Sequence, residues 1–208
     1  MSSSSEVYGA ARKRVVVATK NPGKLAEIRA VLSFPGWEFV SSDELGDWPE
    51  VEETGETFAE NARIKAIAAQ ERFGLPALAD DSGLQVDALD GAPGVYSSRF
   101  AGQNATDTEN NAHLLDMLSE IPTKDRTARF RCVMVFLDED GTETVAEGTC
   151  EGRIGFKAHG QGGFGYDPLM LPDATPGHTM AELDMDEKNA ISHRGAALNA
   201  LRSTLELG

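Results

Sequence analysis

The chain has 208 residues, 40% of them apolar and 25% charged, the balance of a soluble globular protein with room for one large domain. With 19 basic against 34 acidic residues the net charge is −15, which argues against duplex nucleic acid as a partner, because binding its phosphates takes clustered cations. No apolar run approaches the roughly 20 residues of a membrane helix, so neither nucleic acid nor membrane is expected, whereas one anionic small molecule needs only a local positive pocket. The opening "MSSSSEVYGAARKR" lacks the apolar segment of a signal peptide. Residues 1–12 read as a disordered leader, the protein as cytoplasmic, and residues 13–208 as a single domain. Cys132 and Cys150 fit neither a disulfide framework nor a zinc cluster and read as buried thiols.

"RVVVAT" (14–19) is a short apolar run suited to a strand buried on both faces. In "KNPGKLAEIRAVL" (20–32), Asn21 is a good N-cap, Pro22 suits the first helical position, and Leu25, Ile28 and Leu32 form an apolar stripe. "WEFVSS" (37–42) is a second strand candidate. "TFAENARIKAIAAQERFG" (57–74) predicts a helix stopped by Gly74. "LPALAD" and "LQVDAL" are short strand candidates flanking the acids Asp80 and Asp81. A glycine-rich loop, "GAPGVYSSRFAG", and a helix over "DTENNAHLLDMLSEI" follow. "RTARFRCVMVFL" and "TETVAEGTCEG" around "DEDG" signal an antiparallel hairpin. A last helix carries Ile191, Leu198, Leu201 and Leu205. Helices alternating with strands, then a hairpin, predict an α/β fold with a mixed sheet.

Several segments carry chemistry. "TKNPGK" (19–24) puts backbone N–H groups, Thr19, Asn21 and Lys24 at a helix start, whose partial positive charge suits a phosphate; an ordinary capped helix would look the same, and the P-loop spacing is absent. Asp80 and Asp81 are adjacent carboxylates after an apolar run, so they are either a solvated turn or partners of something positive. Joined to Glu52 of "VEETGETF" (51–58), they offer the hard oxygen ligands that Mg²⁺ takes together with water and phosphate oxygens, and one acid could accept the proton of an attacking water. Lys65 lies four residues after Asn61, so both project from one helical face. "GQGGFGYDP" (160–168) lets backbone approach a flat ligand and offers Phe164 and Tyr166 as stacking faces, ending in Asp167. In "EKNAISHRGAAL" (187–198), Ser192, His193, Arg194 and Gly195 interrupt a helical pattern, and His-Arg could present donors to a carbonyl.

Together the stretches "ATKNPGKLAEI", "EETGETFAENARIKA", "ADDSGLQVDALDGAPGVYSSRFAG", "GGFGYDP" and "EKNAISHRGAAL" resemble the inosine triphosphate pyrophosphatase family, in the family's order, over residues 18–198. Each is weak alone; five in order are specific. The leader and "PDATPGHTM" are the least family-like pieces. The resemblance implies an elongated mixed central sheet, two helical lobes with a cleft between them, and a homodimer. It implies hydrolysis of noncanonical purine nucleoside triphosphates such as ITP, dITP and XTP to a monophosphate and pyrophosphate, with Mg²⁺. Carried over by position, Thr19, Lys20, Asn21, Pro22, Gly23 and Lys24 would bind the triphosphate, with Lys65 nearby. Glu52, Asp80 and Asp81 would hold Mg²⁺, Asp81 would take the proton, and Ser82 would touch substrate. Phe164, Gly165, Tyr166 and Asp167 would form the base and ribose pocket, completed by Lys188, His193 and Arg194. The alternatives are another nucleotide pyrophosphatase or phosphatase, and a nucleotide-binding sensor without turnover.

Overall fold

A computed structural model describes residues 12–48 and 51–207; most of the expected leader therefore lies outside the described residues. In chain order the elements are β1 (Lys13–Val17), α1 (Pro22–Val31), β2 (Trp37–Ser41), α2 (Ser42–Leu45), α3 (Phe58–Phe73), β3 (Ala77–Val86), α4 (Asp107–Met117), β4 (Thr127–Leu137), β5 (Glu143–Ile154), β6 (Met170–Pro172), α5 (Met185–Ile191) and α6 (His193–Leu207). The six strands form one sheet in the order β2-β1-β3-β4-β5-β6. β1 runs parallel to both β2 and β3, and β3 to β6 are antiparallel. The mixed α/β sheet expected from the sequence is the observed one.

Local chemistry explains most boundaries. Asn21 caps α1 with Pro22 in its first turn. Thr57 and Glu60 close a capping box on α3, and Gly74 ends that helix in the left-handed conformation that costs glycine least. Val15, Val16 and Val17 are all but inaccessible to solvent, because helices cover both faces of β1. On one face Val15, Val17, Leu78 and Met134 pack against Ile28, Leu198 and Leu201. On the other, Val16, Ala77, Ala79 and Val135 meet Ala62, Ala66 and Ala69 of α3, small residues that let the helix lie close. A third core gathers Leu84, Val86, Phe130 and Ile154 with Leu114, Leu118, Tyr166 and Leu169.

Three expectations change. The two short strands around the acid pair are one ten-residue strand, β3, with Asp80 opposite Met134 and Asp81 opposite Val133; cations from distant segments, described below, remove the repulsion that argued for a turn. The last helix is two, α5 and α6, divided at Ser192, whose hydroxyl accepts the Gly195 N–H at 3.0 Å. The glycine-rich loop contains a 3-10 segment, Gly94–Arg99.

Candidate active site

In an open sheet, ligands bind beyond the carboxyl ends of parallel strands, where the strand order reverses. Here that point is the end of β1, between β2 and β3. A cleft of about 390 Å³ opens there, within the range of small-molecule sites. Ala18, Thr19, Lys20, Asn21 and Lys24 line one end. Asn21 Oδ1 accepts the Gly23 and Lys24 N–H groups at 2.9 and 3.2 Å, and Thr19 Oγ1 accepts that of Asn21 at 3.1 Å. The turn is thus a capped helix start and also a positive rim, because Lys24 and Lys20 stand on it.

β3 carries the two acids between the apolar cores. Alternation along the strand puts Asp80 on the side of Leu78 and Asp81 on the side of Ala79. Asp80 is 2% exposed and meets Lys24 Nζ at 3.1 Å and Arg194 Nη2 at 3.2 Å. Burial disfavours its charge, yet Lys24, Arg194 and Lys65 outweigh burial and hold the carboxyl far below its ordinary range. Asp81 is bonded by Asn61 Nδ2 and Lys65 Nζ, each at 3.2 Å. For this group burial wins: the carboxyl is pushed up despite Lys65 and Lys24, with Glu53 and Asp80 adding to the rise. Neighbouring acids with oppositely shifted affinities for a proton are an arrangement in which one is a fixed charge and the other a proton carrier.

The other end of the cleft is aromatic and polar. Phe164, Gly165, Tyr166, Asp167, Lys188 and His193 line it. Gly165 is held by both backbone groups, its N–H donating to Asp107 at 2.7 Å and its carbonyl accepting from Asn111 at 3.0 Å. Asp167 accepts from the Phe164 N–H and from Lys188 Nζ, both at 2.9 Å. Burial raises its carboxyl, against the pull of Lys188. His193 stacks on Phe130 at 4.8 Å; burial, then Arg194 and Lys188, drive it well below its usual value, so the ring is neutral. Its Nδ1 has no partner among the described residues. Gly23 belongs to this end too, since a Cβ there would stand 3.1 Å from the Phe164 ring.

The expected residues therefore converge, with four adjustments. Glu52 is exposed, and its neighbour Glu53 lines the cleft, bonded to Lys65 at 2.7 Å and 3.7 Å from Arg99; the two acids are consecutive in the irregular chain before α3, and only Glu53 is turned inward. Arg194 does not line the cleft. It is 1% exposed, with donors directed at Glu27, Asp80 and Ser82, so it braces the wall from behind. Tyr166 is 4% exposed within the third core, its hydroxyl donating to the Ser97 carbonyl at 2.8 Å. It is a wall and not an open stacking face. Pro22 stands outside the lining. Sequence reading missed Glu53, Asp107 and Glu27. Glu27 had one visible signal, an acid beside Ile28 and three residues after Lys24, on a face the apolar stripe marks as inward.

This geometry agrees with what the chain is similar to. Residues 15–204 match the profile of the Ham1 family. The chain is 54% identical over 186 residues to the dITP/XTP pyrophosphatase of Desulforamulus reducens, covering 89% of this chain and 92% of that protein. To the dITP/XTP pyrophosphatase of Geobacter sulfurreducens it is 52% identical over 192 residues, covering 92% and 96%. Among solved structures, a HAM1 protein from Coxiella burnetii matches with a TM-score of 0.85 at 45% identity, over 94% of this chain and 99% of that one. Fold, five ordered motifs and near full-length identity concur: the chain belongs to the Ham1 family.

Proposed function

We propose that the protein hydrolyses noncanonical purine nucleoside triphosphates, ITP, dITP and XTP, to the monophosphate and pyrophosphate, and so cleanses the cytoplasmic nucleotide pool. The observation that carries this is the order of groups along one cleft: a positive helix start with Lys24, then buried Asp81 beside Lys65, then Phe164, Asp167, Lys188 and His193. A triphosphate, a reacting phosphorus and a flat base fit that order. The names of the similar pyrophosphatases support the same reading.

Asp81, raised by burial, is the group suited to take the proton of a water that attacks a phosphorus of the α–β bridge, whose P–O bond breaks to give the monophosphate and pyrophosphate. Lys65 holds that carboxylate in place and adds positive charge, as do Lys20 and Lys24, where phosphate charge builds up. The donor set also suits Mg²⁺: Asp81 and the inward Glu53, which share Lys65, are hard carboxylates that a Mg²⁺ arriving on a triphosphate would use alongside phosphate oxygens. Asp80 is a poor ligand because Lys24 and Arg194 already neutralise it. When bound, the ion would offset the repulsion between phosphates and carboxylates and ease ionisation of water.

At the base end Lys188 and neutral His193 place donors where a 6-oxo purine has an acceptor. Adenine presents an amino donor there and leaves both sides unpaired, a loss of roughly 1–3 kcal/mol per buried group. A homodimer is part of the proposal and is tested by sedimentation, where a species of about 22 kDa at micromolar concentration would refute it. The activity is tested by incubating the protein and Mg²⁺ with dITP, ITP, XTP, ATP and GTP. Pyrophosphate release from the first three is expected. Inorganic phosphate as the first product would turn the reading to a phosphatase, and binding without turnover to a sensor.

A further inference from the structure

We propose that Glu27 is a positioning residue that sets the base selectivity of the cleft by fixing the direction of the Lys188 ammonium. The inference rests on the functional reading above. Glu27 is 4% exposed and does not line the cleft, so substrate does not meet it. A carboxylate at that depth is stable only with cations and hydrogen bonds around it. It has two cations, Lys188 Nζ at 2.9 Å and the Arg194 guanidinium. Both come from the C-terminal helices, whereas Glu27 stands on α1, next to the phosphate turn.

An ammonium has three N–H donors and turns freely about its last bond. Lys188 spends one on Asp167 and one on Glu27, each at 2.9 Å. With two acceptors fixed, the third donor has one direction left to it. Nζ also lies 4.8 Å from the centroid of the Phe164 ring, at the cleft wall, so this last donor is delivered at the base end. Arg194 in turn keeps Glu27 from swinging, since its other donors are tied to Asp80 and Ser82. Charges therefore alternate from Asp167 through Lys188, Glu27, Arg194 and Asp80 to Lys24. A Glu27→Gln amide has one acceptor oxygen and one donor group where the carboxylate has two acceptors, so it cannot hold Lys188 and Arg194 together. The ammonium loses its fixed second charged partner, and a purine's 6-position then meets a donor whose direction is no longer set. Asp81 and Lys65, on the opposite side of β3, are untouched.

The test compares kcat/KM for dITP and dATP, bases that differ at the 6-position, in the wild type, Glu27→Gln, Lys188→Met and the double variant. The dITP-to-dATP ratio should fall roughly tenfold or more in Glu27→Gln, with kcat for dITP changed far less than KM. The double variant should lose no more selectivity than Lys188→Met alone, because the two residues act through one donor. Glu27→Asp, which keeps the charge but withdraws it by one methylene, should recover part of the ratio, and it carries the test if the Gln variant does not melt cooperatively. A ratio unchanged in Glu27→Gln, with both substrates falling together, overturns the proposal and makes Glu27 a structural counter-ion. A wild type that does not prefer dITP overturns the functional reading as well, a distinct result.

Discussion

Asp80 and Asp81 are consecutive in the chain but leave β3 on opposite sides, Asp80 into Lys24 and Arg194 at 3.1 and 3.2 Å, Asp81 toward Lys65 and Asn61 at 3.2 Å each. The first carboxyl is held far below its ordinary range and the second is pushed above it. The two therefore answer differently to the same substitution.

For Asp81→Asn, turnover should fall by roughly 10²–10⁴, the usual contribution of a positioned acid–base group. The melting temperature should stay equal to or above that of the wild type, because a carboxyl raised by folding costs stability at neutral pH. Wild-type rates, or a large drop in melting temperature, would refute this.

Asp80→Asn should do the opposite to the fold. It strips Arg194, 1% exposed, of a charged partner, and breaking a buried pair from one side costs roughly 3–5 kcal/mol. A carboxyl lowered by folding stabilises fully above its unfolded value of about 3.9 and loses that contribution as pH falls below it. The gap between wild type and variant in urea unfolding, measured in chelator, should be constant near neutrality and narrow below about pH 4. A gap independent of pH would remove Asp80 as the cause.

Chelation should abolish turnover without lowering the melting temperature. The acids of the cleft are already balanced by Lys24, Lys65 and Arg194, so the fold needs no ion to hold them together. Activity persisting in excess chelator would refute the metal requirement, and a fall in melting temperature would show that the ion is structural.

Gly148→Ala should destabilise the chain and weaken dITP binding together. A Cβ on this β5 residue would stand 2.1 Å from the His193 carbonyl oxygen and 2.4 Å from the Ala197 nitrogen. Both are backbone atoms, so α6 itself must shift, taking His193 with it; overpacking of this kind costs about 1–3 kcal/mol or more. Unchanged melting and unchanged KM would mean that α6 yields without consequence.

The sequence by itself determined what depends on neighbours along the chain. The valine run of β1, the Asn21–Pro22 start of α1, the Thr57 cap and Gly74 stop of α3, and the hairpin about "DEDG" are local matters of side-chain shape, backbone freedom and capping. They were legible for that reason. So were the kinds of residue the cleft contains, once five motifs were read in order. Only the tertiary structure decided who faces whom. Glu27 meets Arg194 across 167 positions and Asp80 meets it across 114; no local rule contains either pair. Neutralisation by such distant cations decided between the turn and the positive partner that the sequence left open, and made the acid pair the middle of one continuous strand. Strand alternation then gave Asp80 and Asp81 different partners. Burial behind the wall took Arg194 out of the cleft, and the set of the loop before α3 brought Glu53 in where Glu52 was expected. A charged group's role follows from its solvation and its partners, and both are properties of the assembled fold.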